Sequence, residues 1–127
     1  LDSLMKQEEK PDEIIVVDNN STDQTVSIVK KYKEVKIIRE NKQGIIPTRN
    51  TGFDQAIEDI IARCDADTVL PPDWIKNIKN SFLKDKSIVA VSMPVLFHDI
   101  PFGNRFLFLF YLYMFIPRMF MGHYPLV

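Results

Sequence analysis

Short runs of β-branched residues alternate with amphipathic segments along most of this chain of 127 residues. The first run, residues 14–17, lies between turn-forming residues, which is typical of a strand buried in a parallel sheet. After it, Val26, Val29 and Tyr32 recur every three residues, as on the apolar face of a helix. This alternation predicts an α/β fold, with a mostly parallel sheet and helices on both of its faces.

The same two patterns predict five further elements. They are a strand at residues 35–38, a helix that begins near Pro47 and carries Phe53, Ala56, Ile57 and Ile60 at helical spacing, a strand that delivers Asp65 and Asp67, a helix at residues 74–82 and a strand at residues 88–95. In sheets of this kind, ligands bind beyond the carboxyl ends of the strands. The polar residues 18–23 and the acidic residues at 65 and 67 fall at such ends, so we expect them to line one crevice.

Two carboxylates two positions apart, Asp65 and Asp67, form the candidate metal site. Carboxylate oxygens suit Mg²⁺ or Mn²⁺, and such an ion keeps coordination positions open for the oxygens of a nucleoside diphosphate. Residues two positions apart lie on the same side of an extended segment, so both carboxylates can reach one ligand, and we expect Asp67 on the metal and Asp65 toward the ribose hydroxyls. The alternative is a solvated turn in which Asp67 caps a short helix.

The polar cluster after the first strand has two predicted roles. Asp18 and Asn19 are expected to face a ligand, because short polar side chains can hydrogen-bond the edge of a nucleobase. Ser21, Thr22 and Asp23 are expected to form the turn and to cap the next helix. The alternative is that the whole cluster only builds the turn.

Arg49 lies early in the helix predicted to begin near Pro47. A helix N-terminus that carries an arginine can attract a phosphate group, so Arg49 is a candidate ligand-binding residue. The alternative is an exposed arginine without a ligand. Gly52, in the same helix, is expected to let the helix pack closely on the sheet.

The composition argues against several classes of function. A net charge of -1 and scattered lysines and arginines argue against nucleic acid as a partner. A single cysteine, Cys64, excludes an internal disulfide and disfavours a zinc cluster. The N-terminal residues do not resemble a signal peptide. We therefore expect a protein of the cytoplasm or of the cytoplasmic face of the membrane.

An apolar run of eleven residues begins at Phe106 and ends at Ile116. A helix of this length spans only ~16 Å, whereas the hydrocarbon core of a bilayer is ~30 Å thick. The run is apolar on all sides, so it is expected either to be buried in protein or to insert partway into a membrane surface.

Three segments of the chain together resemble the family 2 glycosyltransferases, which have the Rossmann-like GT-A fold. They are VVDNNSTDQT, RENKQGIIPTRNTGFDQA and DADTVLPPDWI, and the resemblance covers about residues 11–97. It implies transfer of a sugar from a nucleoside-diphosphate donor to an acceptor hydroxyl, on a sugar or a lipid-linked molecule, with inversion and a divalent metal. It also implies that Asp18 lies at the nucleoside pocket and that Asp65 and Asp67 are the family's D-x-D motif, with Asp67 as the metal ligand.

The chain departs from the family pattern at three places. Asn19 stands where a second aspartate is frequent, and neither the family's opening strand nor its catalytic base is found in the sequence. We therefore expect a chain cut at both ends, with residues 1–97 as the donor-binding part and residues 98–127 as an apolar segment leading to an acceptor-side part. Such a fragment is expected to be inactive by itself.

Two other functions fit parts of the sequence. A nucleotidyltransferase that makes nucleotide sugars also needs carboxylates and a metal, but it usually begins with a glycine-rich basic loop, which is not seen here. A non-catalytic, membrane-associated binding module would use the apolar run at residues 106–116 as its working part. Substitution of Asp67 separates these alternatives, because a lipid-binding module does not depend on that carboxylate.

Overall fold

The structure is a computed structural model, and it describes residues 1–92. The chain divides into two units, Leu1–Val91 and Ser92–Val127, of which the first is described below. Its elements are α1 (Asp2–Met5), β1 (Ile14–Asp18), α2 (Thr25–Val29), β2 (Val35–Arg39), α3 (Ile45–Gln55) and α4 (Trp74–Lys84). The apolar run at residues 106–116 and the predicted segment 98–127 lie outside the described residues, as does the end of the strand predicted at 88–95.

Strands β1 and β2 pair in parallel, in a register that places Ile14 opposite Val35 and Asp18 opposite Arg39. Helix α2 connects them and contacts β2, which makes a β-α-β unit. The side chain of Asp23 accepts the backbone N–H of Thr25, the first residue of α2, at 2.9 Å, as expected, whereas the N-cap residue, Gln24, forms no side-chain cap. The first and second strands are thus confirmed, as is the helix between them, although it ends at Val29, before Tyr32. Both strands end at the same edge of the sheet.

Helix α3 packs on β1, and Gly52 lies at the contact. A Cβ atom added to Gly52 would lie 3.5 Å from Cγ2 of Val17, so the helix approaches the strand to ordinary van der Waals distance. The expectation that Gly52 lies where the helix packs on the sheet is therefore confirmed.

Helix α3 ends earlier than its apolar spacing predicts. It stops at Gln55, and Ala56 is extended, with φ -73° and ψ 138°. The carbonyl of Gln55 accepts a hydrogen bond from Lys36 Nζ at 3.4 Å, and the N–H of Ile57 donates to the Glu13 carboxylate at 3.3 Å. These contacts take the backbone groups away from a further helical turn, and Ile57 is left 79% exposed.

The prediction of a strand that delivers Asp65 and Asp67 is wrong, because the described part of the chain has no strand there. The segment from residue 56 to 70 forms bends and turns without ladder pairing, and its residues are mostly exposed. A strand needs a neighbour, and here the segment is held at its end by α1, where the N–H of Leu70 donates to Ser3 Oγ at 3.1 Å. Residues 88–92 likewise form no strand, although one was predicted there.

Gln7 joins the chain after α1 to the start of α4. It is 3% exposed, and its Nε2 donates to the carbonyls of Pro71 at 2.7 Å and Ser3 at 3.1 Å. Its Oε1 accepts the N–H of Ile75 at 3.1 Å, which caps the first turn of α4. Helix α4 covers the span predicted from its apolar spacing, and Gln7 fixes where it begins.

Candidate functional site

Asp18 is the last residue of β1 and is 8% exposed. One oxygen of its carboxylate, Oδ1, accepts the backbone N–H of Ser21 at 3.1 Å. Its backbone carbonyl accepts the N–H of Glu40 at 2.9 Å, which continues the contact between the two strands one residue beyond Arg39. Within residues 1–92, no hydrogen bond is observed to the other oxygen, Oδ2. Oδ2 is therefore the carboxylate atom that can accept a hydrogen bond from a ligand.

The side chain of Asn19 is bound to the loop that follows β2. Its Nδ2 donates to the carbonyls of Glu40 at 2.8 Å and Lys42 at 2.9 Å, and its Oδ1 accepts the N–H of Gly44 at 2.9 Å. Both amide hydrogens and one lone pair are thus used within the chain. That Asn19 also contacts a ligand stays a prediction.

Asn20 ties the same turn to the end of β2. It has a positive φ of 61°, a conformation that asparagine tolerates better than most residues. Its Oδ1 accepts hydrogen bonds from Nε and Nη2 of Arg39, both at 3.2 Å, and its Nδ2 donates to the carbonyl of Asn41 at 2.9 Å. The arginine at the end of β2 is therefore turned toward the polar cluster.

The carboxylate of Glu40 connects the loop to helix α3. Its carboxylate accepts hydrogen bonds from the hydroxyl of Thr51 on α3 and from the backbone N–H of Lys42, the latter at 2.6 Å. The Thr51 hydrogen bond, followed by the Lys42 one, lowers the pKa of Glu40 below its ordinary value of 4.5, because both favour the charged carboxylate. Sequence patterns missed this residue, since nothing in them pairs a glutamate with a threonine eleven positions on.

Arg49 lies in the second turn of α3, early in the helix as predicted. Gly44 precedes the helix with a φ of 132°, and its carbonyl accepts the hydroxyl of Thr48 at 2.7 Å. Arg49 is exposed and forms no ion pair within residues 1–92. Its guanidinium is thus available to an anion in this part of the chain.

Asp65 and Asp67 lie in a surface turn. The N–H of Thr68 donates to the carbonyl of Asp65 at 3.1 Å, and the carboxylate of Asp65 lies 3.5 Å from Nη1 of Arg63, with both side chains well exposed. Asp67 lines an open cleft of about 490 Å³, together with residues of α1 and of the segment 66–72. Neither a hydrogen bond nor an ion pair among the described residues connects this turn with the loop around Asp18. The expectation that all the acidic residues line one crevice stays a prediction.

The donor chemistry of the turn suits a hard divalent cation. Two exposed carboxylates provide oxygen ligands, and Mg²⁺ is commonly bound by one or two carboxylates while phosphate and water supply the rest. Residues 1–92 contain no group of three or more metal-ligating side chains. Asp65 and Asp67 therefore fit an ion that arrives with a phosphate, and not one held by the protein alone.

The glycosyl transferase family 2 profile matches residues 1–123, and the chain belongs to that family. The family has the Rossmann-like GT-A fold, which accounts for the parallel β-α-β unit. Residues 1–92 show a part of that fold.

Individual relatives are glycosyltransferases of bacteria. The chain is 26% identical to glycosyltransferase GlyA of Streptococcus pneumoniae over 78% of its own length and 15% of that protein. It is 34% identical to an uncharacterized glycosyltransferase of Haemophilus influenzae over 72% of its length and 30% of that protein. It is 28% identical to the chondroitin synthase of Pasteurella multocida over 64% of its length and 9% of that protein.

The chain thus spans less than a third of the length of each of these relatives. No solved structure is significantly similar to it. Within residues 1–92, none of the helices has the length and apolar character needed to cross a bilayer.

Proposed function

We propose that this chain is the donor-binding part of a glycosyltransferase that moves a sugar from a nucleoside diphosphate to an acceptor hydroxyl with inversion. The observation that carries the proposal is the position of Asp18. Its carboxylate lies at the carboxyl end of a parallel strand, where ligands of such sheets bind, with one oxygen bound by Ser21 and no hydrogen bond to the other among residues 1–92. Membership of glycosyl transferase family 2 supports the reaction class.

Each candidate residue has a chemical role in this proposal. Oδ2 of Asp18 accepts a hydrogen bond from the nucleoside, and the adjacent Asn19 belongs to the same pocket. The guanidinium of Arg49 attracts the diphosphate, since it is exposed near the N-terminus of α3. Asp65 accepts hydrogen bonds from the ribose hydroxyls, and Asp67 is the metal ligand.

The metal in the proposal is Mg²⁺ or Mn²⁺, held by Asp67 with Asp65 beside it. Bound there, the ion would neutralise negative charge on the departing diphosphate. The exposure of both carboxylates supports this role, because the phosphate oxygens and water can reach the remaining coordination positions.

The acceptor in the proposal is a sugar or a lipid-linked molecule. One relative is named a chondroitin synthase, which favours a glycan acceptor and a role in polysaccharide or glycolipid biosynthesis. Inversion needs a base that takes the proton of the acceptor hydroxyl, and no described residue is assigned that role. The run from Phe106 to Ile116 is proposed as a peripheral contact with the cytoplasmic face of the membrane.

Thermal unfolding of the 127-residue chain with UDP, GDP or ADP, each with and without MnCl₂, tests the proposal. One of the three should raise the melting temperature when Mn²⁺ is present, because a ligand at 100 times its Kd adds about 2.7 kcal/mol of stability. Asp18→Asn should remove most of that increase, while Asp12→Asn, an equal loss of charge on an exposed residue, should keep it. If none of the nucleotides changes the melting temperature, the proposal is wrong.

A further inference from the structure

We infer that Asn19 is a positioning residue, which acts on the nucleotide through the loop at residues 40–44 and not by contact alone. This inference rests on the proposed function, because the positions that the loop controls are those proposed to bind the nucleotide. It concerns one side chain that directly follows Asp18 in sequence and is hydrogen-bonded to the loop that leads into α3, the helix that carries Arg49.

The hydrogen bonds of Asn19 use the full donor capacity of its amide. Nδ2 has two hydrogens, and they go to the carbonyls of Glu40 and Lys42, while Oδ1 accepts the N–H of Gly44. These partners are 21 to 25 residues away in sequence. One side chain therefore fixes three alternate residues of a loop that is otherwise exposed from Asn41 to Gly44.

The loop determines where α3 begins. Gly44 is the residue before the helix, and its φ of 132° is a conformation that glycine adopts readily and other residues rarely do. Its carbonyl accepts the backbone N–H of Thr48 at 3.3 Å and the hydroxyl of Thr48 at 2.7 Å. The hydrogen bond from the N–H of Gly44 to Asn19 therefore also fixes the first turn of α3. Arg49 lies in the following turn.

The inference explains why an amide stands at this position. Aspartate has the shape of asparagine, but an ionised carboxylate donates no hydrogen bonds. In place of Asn19 it would set its negative charge against the carbonyl oxygens of Glu40 and Lys42 and keep only the contact with Gly44. Many members of the family have a second aspartate at this position. In this chain the loop presents two carbonyls there, which require the donors of an amide.

The test compares Asn19→Asp with Asn41→Asp. Both variants add one negative charge, and Asn41 lies in the same loop, but only its backbone carbonyl takes part in the observed hydrogen bonds. Amide hydrogen exchange of Gly44, followed by NMR in the 127-residue chain, reports on the loop. Titration calorimetry with UDP, GDP and ADP in the presence of MnCl₂ reports on the proposed site.

We expect Asn19→Asp to speed exchange of the Gly44 amide by about tenfold or more, because the two hydrogen bonds to the carbonyls of Glu40 and Lys42 are lost and the loop opens more often. It should also raise the Kd of the nucleotide that binds the wild-type chain by about tenfold. Asn41→Asp should change each quantity by less than about twofold.

Two outcomes would overturn the inference. Unchanged exchange at Gly44 in Asn19→Asp would show that the amide does not fix the loop. Faster exchange with an unchanged Kd would show that the loop does not position the site. If the wild-type chain binds none of the nucleotides, the proposed function fails and the positioning role fails with it, while the exchange data still show whether Asn19 fixes the loop.

Discussion

The backbone carbonyl of Asp18 accepts the N–H of Glu40 at 2.9 Å, directly beyond the last paired residues of the two parallel strands. The contact brings the loop after β2 against the end of β1. Because Glu40 is also bound to Thr51 on α3, the strand end, the loop and the helix form one hydrogen-bonded group. The candidate nucleoside pocket is thus built by three elements that are distant in sequence.

Thr51→Val should raise the pKa of Glu40. The hydroxyl of Thr51 is the largest cause of the lowered pKa, and valine keeps its shape without the hydrogen bond. The pKa should move toward the ordinary value of 4.5 but stay below it, because the N–H of Lys42 still donates to the carboxylate. NMR titration of the Glu40 side-chain carboxyl measures the change, and equal titration curves in wild type and variant would contradict the assignment.

The lowered pKa also predicts how the loop responds to acid. A carboxylate whose pKa is depressed by folding stabilises the folded state above its unfolded pKa, and that contribution is lost as pH falls through the folded pKa. The contribution of Glu40 should therefore be complete above about pH 4.5 and disappear below it. Glu40→Gln should flatten the dependence of unfolding on pH in this acid range, as measured by urea denaturation at a series of pH values. An unchanged acid dependence would show that Glu40 is not its source.

Gln7→Ala should destabilise the described unit by about 2–3 kcal/mol. The substitution removes the bonds to Ser3, Pro71 and Ile75, and each buried group left without a partner costs about 1–3 kcal/mol before water compensates. Urea unfolding measures the loss. Gln43→Ala, in the exposed loop, is the control and should change stability by less than about 0.5 kcal/mol. An equal effect of the two substitutions would show that Gln7 does not anchor α4.

The two glycines of the β2–α3 region should respond oppositely to alanine. Gly44→Ala should cost about 1–3 kcal/mol, because a φ of 132° is strained for any residue with a Cβ. Gly52→Ala should be neutral or stabilise the chain by up to about 1 kcal/mol, because the new methyl meets Val17 at 3.5 Å and alanine favours the helix. Thermal unfolding of both variants checks the contrast, and a larger loss at Gly52 would contradict the observed packing of α3 on β1.

The β-α-β unit and helix α4 could be predicted from the sequence because their elements follow simple patterns. Residues 14–17 form a continuous apolar run, and Trp74, Ile75, Ile78 and Phe82 recur at helical spacing, and the structure has a strand and a helix there. The end of α3 could not be predicted, because Lys36 and Glu13 bind the backbone around Gln55 from distant positions. Apolar spacing at Ala56 and Ile57 continued past the point where these contacts end the helix.

The sequence predicts the residues of the candidate site better than it predicts the contacts between them. Asp18 lies at the carboxyl end of the strand as expected, and Arg49 lies early in the helix as expected. The bonds from Asn19 to the loop and from Glu40 to Thr51 on α3 cross 11 to 25 residues and leave no local signal in the sequence. The turn at Asp65 and Asp67 was predicted at the end of a strand, and this failed because a short apolar segment does not reveal whether another strand lies beside it.

The most direct test of the proposed donor site is the dependence of nucleotide binding on metal. Titration calorimetry would measure the Kd of UDP, GDP and ADP with MnCl₂ and with EDTA, for the wild-type chain, Asp67→Asn and the charge-matched control Asp59→Asn. The account predicts that one nucleotide binds the wild type and Asp59→Asn about tenfold or more tightly with Mn²⁺ than with EDTA, and that Asp67→Asn loses this difference. Equal metal dependence in Asp67→Asn and the wild type would contradict the role of Asp67, and no nucleotide binding under either condition would contradict the donor site itself.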